Sequence, residues 1–271
     1  MAQFRKDTQT YLNDSKTVFE VGMLASSNGS IVSNSTPFAI SNRDDFTLSV
    51  ARGVIPNIQG LSISGYQNTV DGTWIPLWDG GAIAYTYLNT SQQLTVWSSS
   101  DFDTSVSITI NGLDSDYNMQ SETIILTNGT TGVVTTKSFL RVNGITSATN
   151  PVGDIHVGNS GKTIVLSVIP AGNSKSSATI YTVPNGYTFY LTQSIAYTNQ
   201  NGNQYSLYRS YTTNPAGVVT TILTFPLTTH YESRKVVPRP YPAKTDIQWQ
   251  FTSSATSQIG AQIEGYLVQG S

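Results

Sequence analysis

Cysteine is absent from the 271 residues, histidine occurs twice, and charged side chains make up 11% where roughly 25% is usual. The first absence removes disulfides, thiolate nucleophiles and cysteine-based zinc sites. A zinc ion would have to rest on His156 and His230 with carboxylates, too thin a ligand set, so no metal is expected. The net charge of −2 leaves no broad basic surface for nucleic acid or an anionic membrane. No segment approaches about 18 consecutive apolar residues, and the opening MAQFRKDTQTYLNDSKTVFEV lacks the apolar core of a signal peptide. The expectation is a protein of the cytosol, released by lysis if it is released at all. Catalytic signatures are missing too: there is no G-x-S-x-G elbow, P-loop, H-E-x-x-H or G-x-G-x-x-G. Neither enzymatic activity nor a cofactor is expected.

What the chain has instead is Ser, Thr, Asn, Gln, Gly and 15 Tyr, a mixture that suits pleated surfaces and turns and starves helices. From Phe38 onward the hydrophobic period is two. VSITIN sets Val106, Ile108 and Ile110 against Ser107, Thr109 and Asn111; DIQWQF sets Ile247, Trp249 and Phe251 against Gln248 and Gln250. GYTFYL and GAQIEGYLV alternate in the same way. Each reads as a strand with one wet face. Turn signals such as TNGTTG, PNGY, NQNGNQ and NPAG separate them. The fold expected is all-β: antiparallel sandwiches, jelly-roll-like, preceded by a polar N-terminal arm over residues 1–36 with one helical turn and then a loop. The Gly/Asn/Ser-rich stretch 143–162 suggests a division into sandwiches 37–155 and 156–271.

Four constellations invite chemistry. Asp114, Asp116 and Asn118 have the one-three-five spacing of a calcium loop, but Met119 and Ile125 stand where its Gly and Glu belong, so a hairpin turn is expected. Asp101 and Asp103 share a parity and could pair as carboxylates, although a solvated loop is the plainer reading. Trp74 and Trp78 in GTWIPLWDGG could stack on sugar faces, or simply fill a core or an interface, and Trp97 and Trp249 sit in alternating strands as core candidates. Finally, HYESRKVVPRPYPAK gathers Arg234, Lys235, Arg239 and Lys244 among three prolines, an exposed loop or edge suited to an acidic partner surface.

Residues 109–145, TINGLDSDYNMQSETIILTNGTTGVVTTKSFLRVNGI, resemble a motif of virion structural proteins from marine tailed phages, of the cyanophage type. ATIYTVPNGYTFYLTQ, VVPRPYPAKTDIQWQF and the opening FRKD and YLNDSKTVFEV are similar to other parts of the same proteins, so the resemblance spans most of the chain. It implies a non-enzymatic particle component, assembled in the host cytoplasm and located in the virion. The leading expectation is a capsid decoration or cement protein that binds neighbouring subunits, chiefly the major capsid protein. Its arm would lie across a neighbour, and a homo-oligomer, with a trimer favoured, would be the unit. A neck, tail or fibre-adaptor component is the alternative, and a carbohydrate-binding module for host glycans is the alternative of another class.

Overall fold

In the computed structural model, residues 10–12, 18–20, 46–200, 205–227 and 229–270 are described. In the N-terminal unit, β1 (Thr10–Leu12) and β2 (Val18–Glu20) pair antiparallel, with Tyr11 opposite Phe19. The rest of the expected arm, 1–36, lies outside the described residues, and so does any clip it forms. One helix occurs among the described residues, α1 (Phe46–Ala51), of six residues.

All the remaining elements are strands. They are β3 (Ile58–Val70), β4 (Ile75–Pro76), β5 (Gln92–Ser98), β6 (Ser107–Leu113), β7 (Met119–Ile125), β8 (Val133–Phe139), β9 (Arg141–Ser147), β10 (Ile155–Asn159) and β11 (Val165–Ile169). After these come β12 (Ile180–Thr182), β13 (Tyr187–Thr198), β14 (Ser206–Thr213), β15 (Val219–Leu227), β16 (His230–Tyr241), β17 (Asp246–Ser253) and β18 (Ser257–Gln269). The alternation read from the sequence places the side chains correctly at β6, where Ile108 and Ile110, with Val106 just before the strand, face inward, and in β18, where Ala261, Ile263 and Leu267 do.

The strands build two sandwiches. In one, the sheet β11-β10-β5-β8 packs on β7-β6-β9 around Leu94, Val96, Ile108, Ile110, Phe139 and Ile155. In the other, β16-β13-β18-β3 packs on β12-β17-β14-β15, with β4 also on β17, around Phe189, Tyr241, Trp249, Phe251 and Ile263. The two do not follow each other along the chain. Strand β3 is the edge partner of β18, so the chain starts the second sandwich, leaves it after β4, completes the first, and returns through β12. The boundary expected between 155 and 156 falls at the first step of β10, which pairs with β5 on one side and β11 on the other. Glycine and asparagine in 143–162 read as a linker, yet Ile155 and Val157 are fully buried two residues apart and hold that segment in a central strand.

Strand β17 also differs from its half-wet reading. Gln248 and Gln250 are buried along with Ile247, Trp249 and Phe251. The amides are satisfied on the far face: Gln250 accepts from Arg209 Nε and Nη2 at 2.9 and 2.7 Å and donates to Gln248 at 2.8 Å. A buried face made of mutually bonded amides keeps the polar alternation while excluding water.

Where the chain crosses between sandwiches, its outgoing and returning segments pair. Trp78 bridges Ala178, Thr179 N–H donates to Leu77 O at 2.7 Å, and Thr179 Oγ1 accepts from Leu77 N–H and donates to Trp249 O. A Cβ at Gly65 of β3 would overlap the Leu77 carbonyl, so only glycine lets the crossing lie this close. Asp79 receives Ser177 N–H at 2.5 Å, and burial, only partly offset by that bond, pushes its pKa up to about 6. Because the folded value lies above the ordinary 3.8, the stability linked to its proton is present below about pH 4 and lost as pH rises through about 6. Asp79→Asn is therefore expected to be the more stable form above pH 6 by about 1–2 kcal/mol, less than the full linkage because the side chain keeps some solvent. The advantage should vanish near pH 4; urea unfolding midpoints on both sides of the transition check it.

A second junction is ionic. Arg141 of β9 binds Asp246 of β17 through Nε and Nη2, both at 2.8 Å, while its Nη1 donates to the carbonyls of Leu88 and Leu140. Thr182 Oγ1 donates to the same carboxylate at 2.6 Å, and the guanidinium lies 4.6 Å from the Tyr87 ring centre and 5.7 Å from that of Tyr117. Burial alone would lower the arginine pKa; the bonded carboxylate more than reverses it and keeps the guanidinium charged. The two nested sandwiches are thus locked together by a bidentate ion pair.

Candidate interaction site

The acidic constellations resolve into structural turns. Asp114 Oδ1 accepts from the backbone N–H of Asp116 and Asn118 at 2.8 and 2.9 Å, and Tyr117 adopts φ +67°, which closes the β6–β7 hairpin. The turn then docks on the other sandwich, where Asn185 N–H donates to Tyr117 O and Asn185 Nδ2 to Asn118 Oδ1. Asp103 is buried and receives Ser98 Oγ, Val152 N–H and Gly153 N–H at 2.5–2.8 Å. Burial raises its pKa, but those three bonds outweigh it and hold the carboxyl below its ordinary value. Asp101 is exposed and accepts from Thr130 Oγ1 instead. The two carboxylates do not act as a pair. Among the described residues, no three His, Asp or Glu side chains converge as metal ligands do.

The cleft between the sandwiches, about 170 Å³, is lined by Ser62, Ser64, Asn143, Ser167, Lys175 and Ser176. Of the two tyrosines that also line it, Tyr85 and Tyr181, the first already donates its hydroxyl to Leu166 O. No acid and base face each other across it.

The aromatic pair separates as well. Trp78, expected as a possible stacking surface, is 2% exposed, sits edge-on to Tyr85 at 5.1 Å and donates Nε1–H to Ile83 O. It cannot present a face to a glycan. Trp74 is half-buried, and the Arg209 guanidinium lies over its ring at 4.2 Å. Trp249 lies at the heart of its core as the alternation implies, and Trp97 is half-buried against His156 at 5.2 Å.

The basic segment is where the structure departs from compactness. Rather than a loop, it is β16, an edge strand paired with β13. The pairing jumps: Arg239 stands opposite Leu191, but Arg234 stands opposite Gln193. One residue of β13 is thus spanned by Lys235, Val236, Val237 and Pro238, which must swing outward as a large bulge. Val236 is 100% exposed and Val237 80%. Around this apolar tip stand Arg234, ion-paired to Glu232 at 2.8 Å in largely exposed geometry, Lys235, bonded to Ser233 Oγ, and Arg239. Partial burial and then the Arg239 charge lower the Lys235 pKa. Lys244 is not part of this group. It occupies the turn before β17 at φ +64°, its N–H donates to Val183 O, and its Nζ lies 5.9 Å from the Tyr117 ring centre.

Sequence reasoning found the cations and missed the valines between them. A signal was present: two adjacent Val before a proline break the strand alternation, and the residue before proline is held extended.

No protein-family model matches the sequence, and no curated protein matches it. Among solved structures, the infectious bursal disease virus Gt strain is similar at 12% identity and TM-score 0.16, over 82% of this chain and 77% of the other. A mutant VP2 protein of the same virus in T=1 particles is similar at 10% identity and TM-score 0.14, over 79% and 77%. Likenesses this low carry no argument about fold or function.

Proposed function

We propose that the chain is a non-enzymatic structural component of a phage virion, a capsid decoration protein that docks on neighbouring capsid subunits through the β16 bulge. The observation that carries the reading is the pair Val236 and Val237, fully or nearly fully exposed at the tip of a proline-braced edge and ringed by Arg234, Lys235 and Arg239. Exposed apolar groups held out from a rigid strand bury surface on contact with little ordering cost. The cations select a pocket with an acidic rim and steer approach to it. The resemblance of residues 109–145 to marine phage virion proteins supports the same reading, and the rigid junction at Arg141 and Asp246 suits a particle part that must hold its shape.

Purified particles test it by composition. Quantitative protein staining is expected to find the chain in hundreds of copies, the number a capsid lattice offers. A dozen copies or fewer would move it to the neck or tail, and its absence from particles would sink the proposal.

A further inference from the structure

A different edge of the same sandwich points to a second copy of this chain. Among the described residues β15 pairs with β14 alone, leaving its other side open. Which backbone groups point that way follows from Pro226, which has no N–H and stands opposite Leu207. Antiparallel partners alternate between residues that exchange N–H···O bonds and residues whose groups point away, and a proline fits the second kind. Thr224, Thr221 and Val219, opposite Arg209, Tyr211 and Thr213, share the parity of Pro226 along β14. Their N–H and C=O groups therefore face the open side. Thr220, of the other parity, behaves accordingly: its carbonyl accepts from Thr212 Oγ1 on β14.

Open edges invite pairing, and proteins usually block them with charge, proline or cover. Among the described residues, β15 has no such protection over its N-terminal two thirds. No residue from Ser210 to Thr229 is charged, and Val218 and Val219 are 57% and 49% exposed beside the edge.

The other edges of the two sandwiches are partly engaged. Glu122 of β7 accepts from the N–H groups of Thr136 and Lys137 on β8, and Gln120 donates to Ser138 O. Asn143 of β9 bonds both backbone groups of Thr182 on β12, Tyr85 takes Leu166 O of β11, and Ser177 takes Ser64 O of β3. Strand β16 carries prolines 238 and 240 and its own bulge.

We propose that β15 pairs antiparallel with β15 of a second copy, joining two sheets across a twofold axis. Among the described residues, the other edges of the two sandwiches are each partly bonded or interrupted by proline, whereas an edge strand turned about a twofold always matches itself. The unit is a dimer, in place of the trimer expected from the sequence, and it holds whether or not the chain is a virion component.

Sedimentation equilibrium of the full chain tests this. Wild type is expected at twice the 29.3 kDa chain mass. The midpoint of Val219 and Thr224 lies beside Thr221, so the axis brings the two Thr221 positions together. Thr221→Lys and Thr221→Asp should each be monomeric through like-charge repulsion, and an equimolar mixture of the two should regain the dimer mass. Thr224→Pro, which removes an outward N–H that β14 does not use, should be monomeric with unchanged near-ultraviolet circular dichroism, and it keeps the test open should the charged variants misfold. A monomeric wild type, a dimer or trimer indifferent to these substitutions, or a mixture that stays monomeric would each overturn the pairing.

Discussion

Arg141→Ala is expected to destabilise the protein by about 3–5 kcal/mol, because it strands the Asp246 carboxylate in a buried site without its partner. The carboxylate side chain is 8% exposed and the guanidinium 10%, so little water replaces the lost partner. Four of the five arginine N–H groups are used: two on Asp246, one each on Leu88 O and Leu140 O, and those carbonyls also lose their donor. Asp246→Ala should cost a similar amount, leaving a buried cation between Tyr87 and Tyr117. The pair's net worth is another matter. Replacing both by apolar residues of similar volume, Arg141→Met with Asp246→Leu, should cost much less than the sum of the single changes, since no charge is left unpaired. Urea unfolding of the four proteins reads the cycle. Additive losses would mean that the ion pair is incidental to how the sandwiches are joined. Because the pair bridges two separate cores, the single variants should also broaden unfolding toward two steps.

The strands were legible in the chain because their signal is local. A period of two with turn residues between runs requires only neighbours in sequence, and Val106, Ile108 and Ile110 go inward as read. The nesting was not legible. Nothing local to ISGYQNTV says that β3 will close against β18 nearly two hundred residues later, and the glycines that permit the crossing look like any other turn glycines. Likewise, Gln248 and Gln250 carry the pattern of a wet face, and only Arg209, from another strand, reveals that the face is covered.

Of the candidate site, charge was legible and shape was not. Arg234, Lys235 and Arg239 stood out in a chain poor in charge, and the prolines marked an edge. The outward swing of residues 235–238 comes from a register jump against β13, a property of two strands together. Lys244 is close in sequence but the strand carries it to the opposite end, against Tyr117. Trp78 illustrates the converse: an aromatic in a Gly- and Pro-rich run looks exposed until a second sandwich closes over it.

The largest functional effect is expected from the tip itself. Burying a valine side chain is worth about 1.5–3 kcal/mol, whereas an exposed ion pair contributes about 0.2–1 kcal/mol. Neutralising Arg234, Lys235 and Arg239 should therefore weaken docking gradually and make it insensitive to salt, while Val236→Asp with Val237→Asp should reduce it by at least about 100-fold, the equivalent of about 3 kcal/mol. Val236 is fully exposed and Val237 is 80% exposed, so the monomer should keep its melting temperature. The decisive measurement is the occupancy of this double variant on particles assembled without the wild-type chain. Docking through the bulge requires particles nearly stripped of a protein that is folded and abundant in the lysate; full occupancy by the double variant would contradict it.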